Sequence, residues 1–119
     1  MKRRRKPLTL DEDRVLRLAA VLGNKTRIEL LLIFRSRVAS PSALDREAGA
    51  DAVPAALGAI SYHVAKLAEV GAIVEVGRRP RRGTTEHFYD ITLFGEECLK
   101  AARNITTQGL ENAAPGSAG

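Results

Sequence analysis

The hydrophobic period of this chain changes after Gly71, and that change limits its fold more than any other feature. Up to Val70 apolar residues recur at helical spacing; past Gly71 they fall into two short runs that are β-branched or aromatic. The runs are Ile73-Val-Glu-Val76 and His87-Phe-Tyr-Asp-Ile91, separated by a stretch rich in Gly, Pro and Arg. They predict a β-hairpin with a long basic tip. Thr92 then caps a last helix running to about Ile105.

The segments before the hairpin carry ordinary helix signals. Thr9-Leu-Asp-Glu12 is a capping box, and Val15, Leu18, Ala19 and Leu22 follow on one helical face up to Gly23. Asn24 caps a second helix, in which Ile28, Leu31, Leu32 and Phe34 give a wide apolar surface up to about Arg37. Ser40-Pro41 sets an N-cap with proline at the first helical position, so a short third helix covers about 41–48 before Gly49. A connection of about 50–56 leads to a stronger helix, about 57–70, with Leu57, Ile60, Val64 and Leu67 on one face. The expected fold is mainly α with a small β-hairpin: a winged helix-turn-helix of about five helices and a two-stranded wing. Residues 1–7 are expected to be a disordered basic tail, 8–106 the DNA-binding and dimerisation domain, and 107–119 a disordered tail.

Charge sharpens this reading. Of 19 basic residues, Lys2, Arg3, Arg4, Arg5 and Lys6 form one cluster and Arg78, Arg79, Arg81 and Arg82 another. The ten that remain are outnumbered by 14 acidic residues. A basic tail and a basic hairpin on an acidic body suit a polyanion touched at particular places. The third helix with 57–70 forms the helix-turn-helix; a narrow helix enters the major groove while the hairpin lies along phosphates.

A wheel at 100° per residue places Gly58, Ala59, Tyr62, Ala65, Lys66 and Glu69 opposite the buried face of the fourth helix. Ser61 and His63 flank this small-residue surface. Hydroxyls bond phosphate or base edges, and His or Lys donates to guanine acceptors or phosphate. The DNA-contacting set is therefore Ser42, Ser61, Tyr62, His63, Lys66, Arg78, Arg79, Arg81 and Arg82. Two alternatives stay open at this level: Tyr62 packing on a partner chain, and Ser61 as an ordinary surface residue.

Three stretches resemble ArsR-type winged-helix repressors. Leu22-Gly-Asn-Lys-Thr-Arg-Ile-Glu-Leu-Leu31 looks like the family's "L-x-x-x-x-R-x-x-I/L-L" helix. Ile60-Ser-Tyr-His-Val-Ala-Lys-Leu-Ala-Glu-Val-Gly-Ala-Ile73 is similar to its recognition helix, "S-x-H-x-x-x-L-x-x-x-G-L-V/I". Arg81-Arg-Gly-Thr-Thr-Glu-His-Phe-Tyr89 resembles the wing of one branch, "R-x-G-x-x-x-x-x-Y". The resemblance spans about 10–105 and implies that Ser61 and His63 face DNA and that the chain pairs through its first and last helices. It departs from the family's metal sensors: the third helix has no thiol and Leu93–Ile105 has no His, so no metal site is expected.

On the last helix Phe94, Cys98, Ala101 and Ile105 form a seam at 4-3-4 spacing, matched by Val15, Leu18 and Leu22 on the first. Pairing of these strips predicts a homodimer, with Cys98 either a buried small hydrophobe or, alternatively, a redox sensor. A lone cysteine allows no internal disulfide, and no apolar run approaches the ~18 residues that span a bilayer. The chain is expected to be cytoplasmic and nucleoid-associated, with no membrane partner. No G-x-S-x-G, Gly-rich phosphate loop or Cys/His/Asp set is present, so neither an enzyme nor a cofactor is expected, and no effector is indicated. The function read from the sequence is a double-stranded-DNA-binding transcriptional regulator, as a repressor by preference. The alternative is a winged-helix module that holds a protein or RNA.

Overall fold

The computed structural model describes residues 9–47 and 60–113, with the side chains of Leu10 and 106–113 outside the description. Five helices and one hairpin follow in order: α1 (Leu10–Leu22), α2 (Lys25–Ser36), α3 (Pro41–Arg46), α4 (Ile60–Glu69), β1 (Ile73–Arg81), β2 (Thr84–Ile91) and α5 (Leu93–Ala113). The mainly helical chain with its two-stranded antiparallel hairpin is compatible with a winged helix-turn-helix layout. The expected tail 1–7, the end of the third helix at 48 and the start of the fourth at 57 lie outside the described residues.

Side-chain caps fix four helix starts, with Thr92 Oγ1 accepting from the Gly95 amide at 3.1 Å at the head of α5. Thr9 Oγ1 accepts from the Glu12 amide at 3.1 Å while the Glu12 carboxylate accepts from the Thr9 amide at 3.2 Å, closing the capping box. Asn24 Oδ1 accepts from the Arg27 amide, and Ser40 Oγ from the Ala43 amide with Pro41 behind it. Phe34, Leu30, Leu31, Leu44, Ile60, Val64 and Leu67 bring α2, α3 and α4 into one core.

The hairpin differs from expectation. The long basic tip is instead two long strands closed by a two-residue turn, Arg82-Gly83, with φ of +46° and +80°. Positive φ at both turn positions matches the twist of antiparallel strands, and Gly83 accepts it freely. Opposite charges across the strands carry the ladder outward, for Arg79 faces Glu86 in the register and bonds it at 2.8 Å. A register shift between Glu75 and Gly77 changes which face β1 presents. Ala39 extends the pairing to a third segment, exchanging two backbone hydrogen bonds with Tyr89 at 3.2 and 2.8 Å.

α5 runs to Ala113, past the end expected near Ile105 and into the stretch expected to be a tail from 107. Adding one residue to an existing helix costs little, and Leu110, Glu111 and Ala113 are good helix formers that outweigh Gly109. Its first turn sits directly on the chain before β1. A Cβ at Gly95 would stand 2.2 Å from the Ala72 carbonyl oxygen, and the Thr92 amide donates to that same oxygen at 3.1 Å.

The residues of the expected seam divide by burial. Cys98 is 1% exposed within its own chain, and Leu18 and Phe94 pack against the same core. The outer helices touch each other and α2 inside one chain, so Cys98 needs no second copy to cover it, while Leu18 and Phe94 are partly buried there. Val15 and Ile105, at 61% and 58%, remain exposed. Among the described residues no helix is long and apolar enough to cross a membrane.

Candidate nucleic-acid interface

α4 presents Ser61, Tyr62 and Ala65 outward while Ile60, Val64 and Leu67 are buried, as its 3.6-residue period requires. Gly58 and Ala59, expected on the same face, lie outside the described residues. Tyr62 is 56% exposed, and two cations attend its ring: the guanidinium of Arg27 at 5.8 Å and the ammonium of Lys66 at 5.9 Å. Lys66 also bonds Glu69 at 3.2 Å, one turn on. Ser42 is exposed on α3, which packs on both α4 and β2.

His63 takes a different direction from its neighbours. Its Nδ1 accepts a hydrogen bond from Arg27 Nε at 3.2 Å, and its ring meets Tyr62 edge-on. Loss of hydration and, secondarily, the Arg27 charge hold its pKa below the ordinary 6.5. The neutral form of His63 is therefore favoured at pH 7, with its Nδ1 engaged by α2.

The four hairpin arginines do not form a uniform stripe. Arg78 bonds Glu75 at 2.9 Å, and Glu75 is bonded as well by His87. Those two contacts, His87 first, keep the Glu75 carboxyl below its usual range. Arg79 and Arg81 approach Glu86 at 2.8 and 3.7 Å, and Arg46 reaches it from α3 at 3.6 Å. Arg82, at the turn, has no carboxylate partner among the described residues. Glu86 itself is 2% exposed and accepts from Ser40 Oγ at 2.5 Å; this bond and the Arg79 contact hold its pKa down to about 2.

Glu86, Ser40, Arg46 and Arg27 are the residues that the sequence reading missed. A signal for the first was present: registering the hairpin on Arg82-Gly83 places Glu86 directly opposite Arg79. Ser40 and Arg46, at the two ends of α3, and Arg27 on α2 reach their partners only through tertiary packing.

Cys98 does not join a chemical site. Burial first, then the Glu97 carboxylate, pushes its thiol up to about 11, so it is protonated at neutral pH and a poor nucleophile. Among the described residues no three His, Cys, Asp or Glu side chains converge as a metal site. No family model, curated protein or solved structure matches this chain.

Proposed function

We propose that this chain is a sequence-specific double-stranded-DNA-binding transcriptional regulator, in the repressor sense, acting in the cytoplasm as a homodimer. The carrying observation is the exposed face of α4: Tyr62 stands out between small neighbours, Ser61 and Ala65, with Arg27 and Lys66 against its ring. The ten-residue helix is about 15 Å long and slim enough on that side for the major groove. The arginines of β1 and its turn supply phosphate contacts beside it, with Arg82 the most available.

In this reading Tyr62 and Lys66 touch bases, Ser61 and Ser42 reach phosphate or base edges, and His63 orients α4 from behind. The exposed apolar side chains Val15 and Leu16 on α1 and Ile105 on α5 support pairing of two copies. The test is selection from random duplex DNA with the purified protein, followed by binding to the selected site and a scrambled one. A selected site bound at least tenfold more tightly supports the reading. Enrichment of nothing, with equal binding to duplex and single-stranded RNA, refutes it.

A further inference from the structure

One buried carboxylate gathers three guanidinium groups from two elements. Glu86 is almost fully covered, with a side-chain exposure of 1%, while Arg46, Arg79 and Arg81 keep 48%, 60% and 35%. Arg79 also stacks against Phe88, with its guanidinium 5.4 Å from the ring centre. Three positive charges against one negative leave a net charge of about two at the junction of α3 and the hairpin.

The arrangement constrains how these arginines can act. Leaving Glu86 would strand an ionised carboxylate in the interior, so they stay with it. Each guanidinium has five N–H donors, and the contacts to Glu86 use few of them. The remainder stay available on exposed side chains. A ligand oxygen arriving there meets donors whose rotamers are already fixed, which avoids the ordering cost that free surface arginines incur. Ser40 adds rigidity: its hydroxyl donates to Glu86 while accepting from the Ala43 amide, so α3 and β2 share one anchor.

The geometry points to a phosphate-binding site at this junction, in which Arg46, Arg79 and Arg81 hold one DNA backbone phosphate and Glu86 is their positioning residue. It rests on the proposed DNA reading and adds to it two residues, Arg46 and Glu86, outside the basic run of the hairpin. It also reverses a simple charge count. Removing a negative charge from a DNA-binding surface should tighten binding; here removing Glu86 should loosen it.

The test uses the full chain as wild type, Glu86→Gln and Arg79→Lys, each checked for folding by circular dichroism and titrated with a random duplex across salt concentrations. Folded Glu86→Gln should bind about two- to tenfold more weakly than wild type, the ordering cost of freed side chains. Its log–log salt slope should be shallower by about one phosphate contact. Arg79→Lys keeps the charge, is exposed, and loses the planar fork; it should weaken binding by a similar factor and answers the question if Glu86→Gln fails to fold. Equal or tighter binding by these variants, with unchanged slopes, overturns the site. The guanidinium Nε NMR signals of the three arginines are followed as duplex, then inorganic pyrophosphate, is added. Duplex binding that leaves them unmoved overturns this site and not the DNA reading. Signals that move with pyrophosphate in a protein that ignores duplex overturn the DNA reading and retain an anion site.

Discussion

The guanidinium of Arg27 on α2 donates to Nδ1 of His63 on α4 at 3.2 Å, and to the Ala20 carbonyl at the end of α1 at 2.6 Å. One side chain thus ties three helices together behind the exposed face of α4. The acceptor role of Nδ1 assigns the proton of neutral His63 to Nε2.

Arg27→Ala should cost about 1–2 kcal/mol, the worth of these hydrogen bonds, in urea unfolding at pH 7. Without the guanidinium, the His63 pKa should move back up toward 6.5 in an NMR titration. The sign for stability follows. The unfolded chain takes up a proton on His63 near pH 6.5 while the folded chain resists it, so stability falls as pH drops through that value. A His63 pKa unchanged by Arg27→Ala would contradict the contact.

Gly95 has no room for a side chain. Gly95→Ala puts a methyl 2.2 Å from the Ala72 oxygen and 2.6 Å from Ile91 Cγ1, and the first of these is backbone. The better helix propensity of Ala is worth about 1 kcal/mol, and forced displacement costs about 1–3 kcal/mol or more. Net destabilisation is expected, read as a lower urea midpoint. A stabilised variant would mean that α5 does not rest on Ala72.

Glu86 makes the stability of the fold depend on pH on the acid side. Its pKa of about 2 lies below the ordinary 4.5, so it contributes stability that is fully present above about pH 4.5. That contribution is lost as pH falls toward 2. The difference in urea midpoint between wild type and Glu86→Gln should be constant from pH 5 to 7 and shrink below 4.5. A difference independent of pH down to 2.5 would show that Glu86 is not ionised against Ser40 and the arginines.

Local signals carried most of the fold into the sequence. The Thr9, Asn24 and Ser40 caps and the 3.6-residue periods of α2 and α4 act over one turn, and each stands in the structure. The hairpin was legible as a place, not as a shape. Its turn uses Arg82 where Asn or Asp is the usual residue before Gly, so the arginines read as a loop rather than as strand positions. Cys98 reads from sequence as part of a dimer seam because a narrow apolar strip looks the same whether it faces a second copy or its own core. For Glu86 the sequence shows only a charged residue in the tip before the second run. Its burial depends on α3 arriving with Ser40.

The exposed remainder of that strip gives a prediction for assembly. Ile105→Asp places a charge on an exposed apolar position and should yield a folded monomer by sedimentation where wild type is a dimer. Cys98→Ser should instead lower stability by about 1–3 kcal/mol, since a hydroxyl replaces a thiol in the core, and leave the association state unchanged. Dimerisation unaffected by Ile105→Asp would remove this face from the account.

The most direct measurement of the central claim is the affinity of wild type and Tyr62→Ala for a selected duplex and a scrambled one at fixed salt. Tyr62 touching bases should make its loss cost about 1–3 kcal/mol on the selected duplex and little on the scrambled one. Equal losses on both duplexes, or no preference by the wild type between them, would contradict α4 as the element that reads sequence.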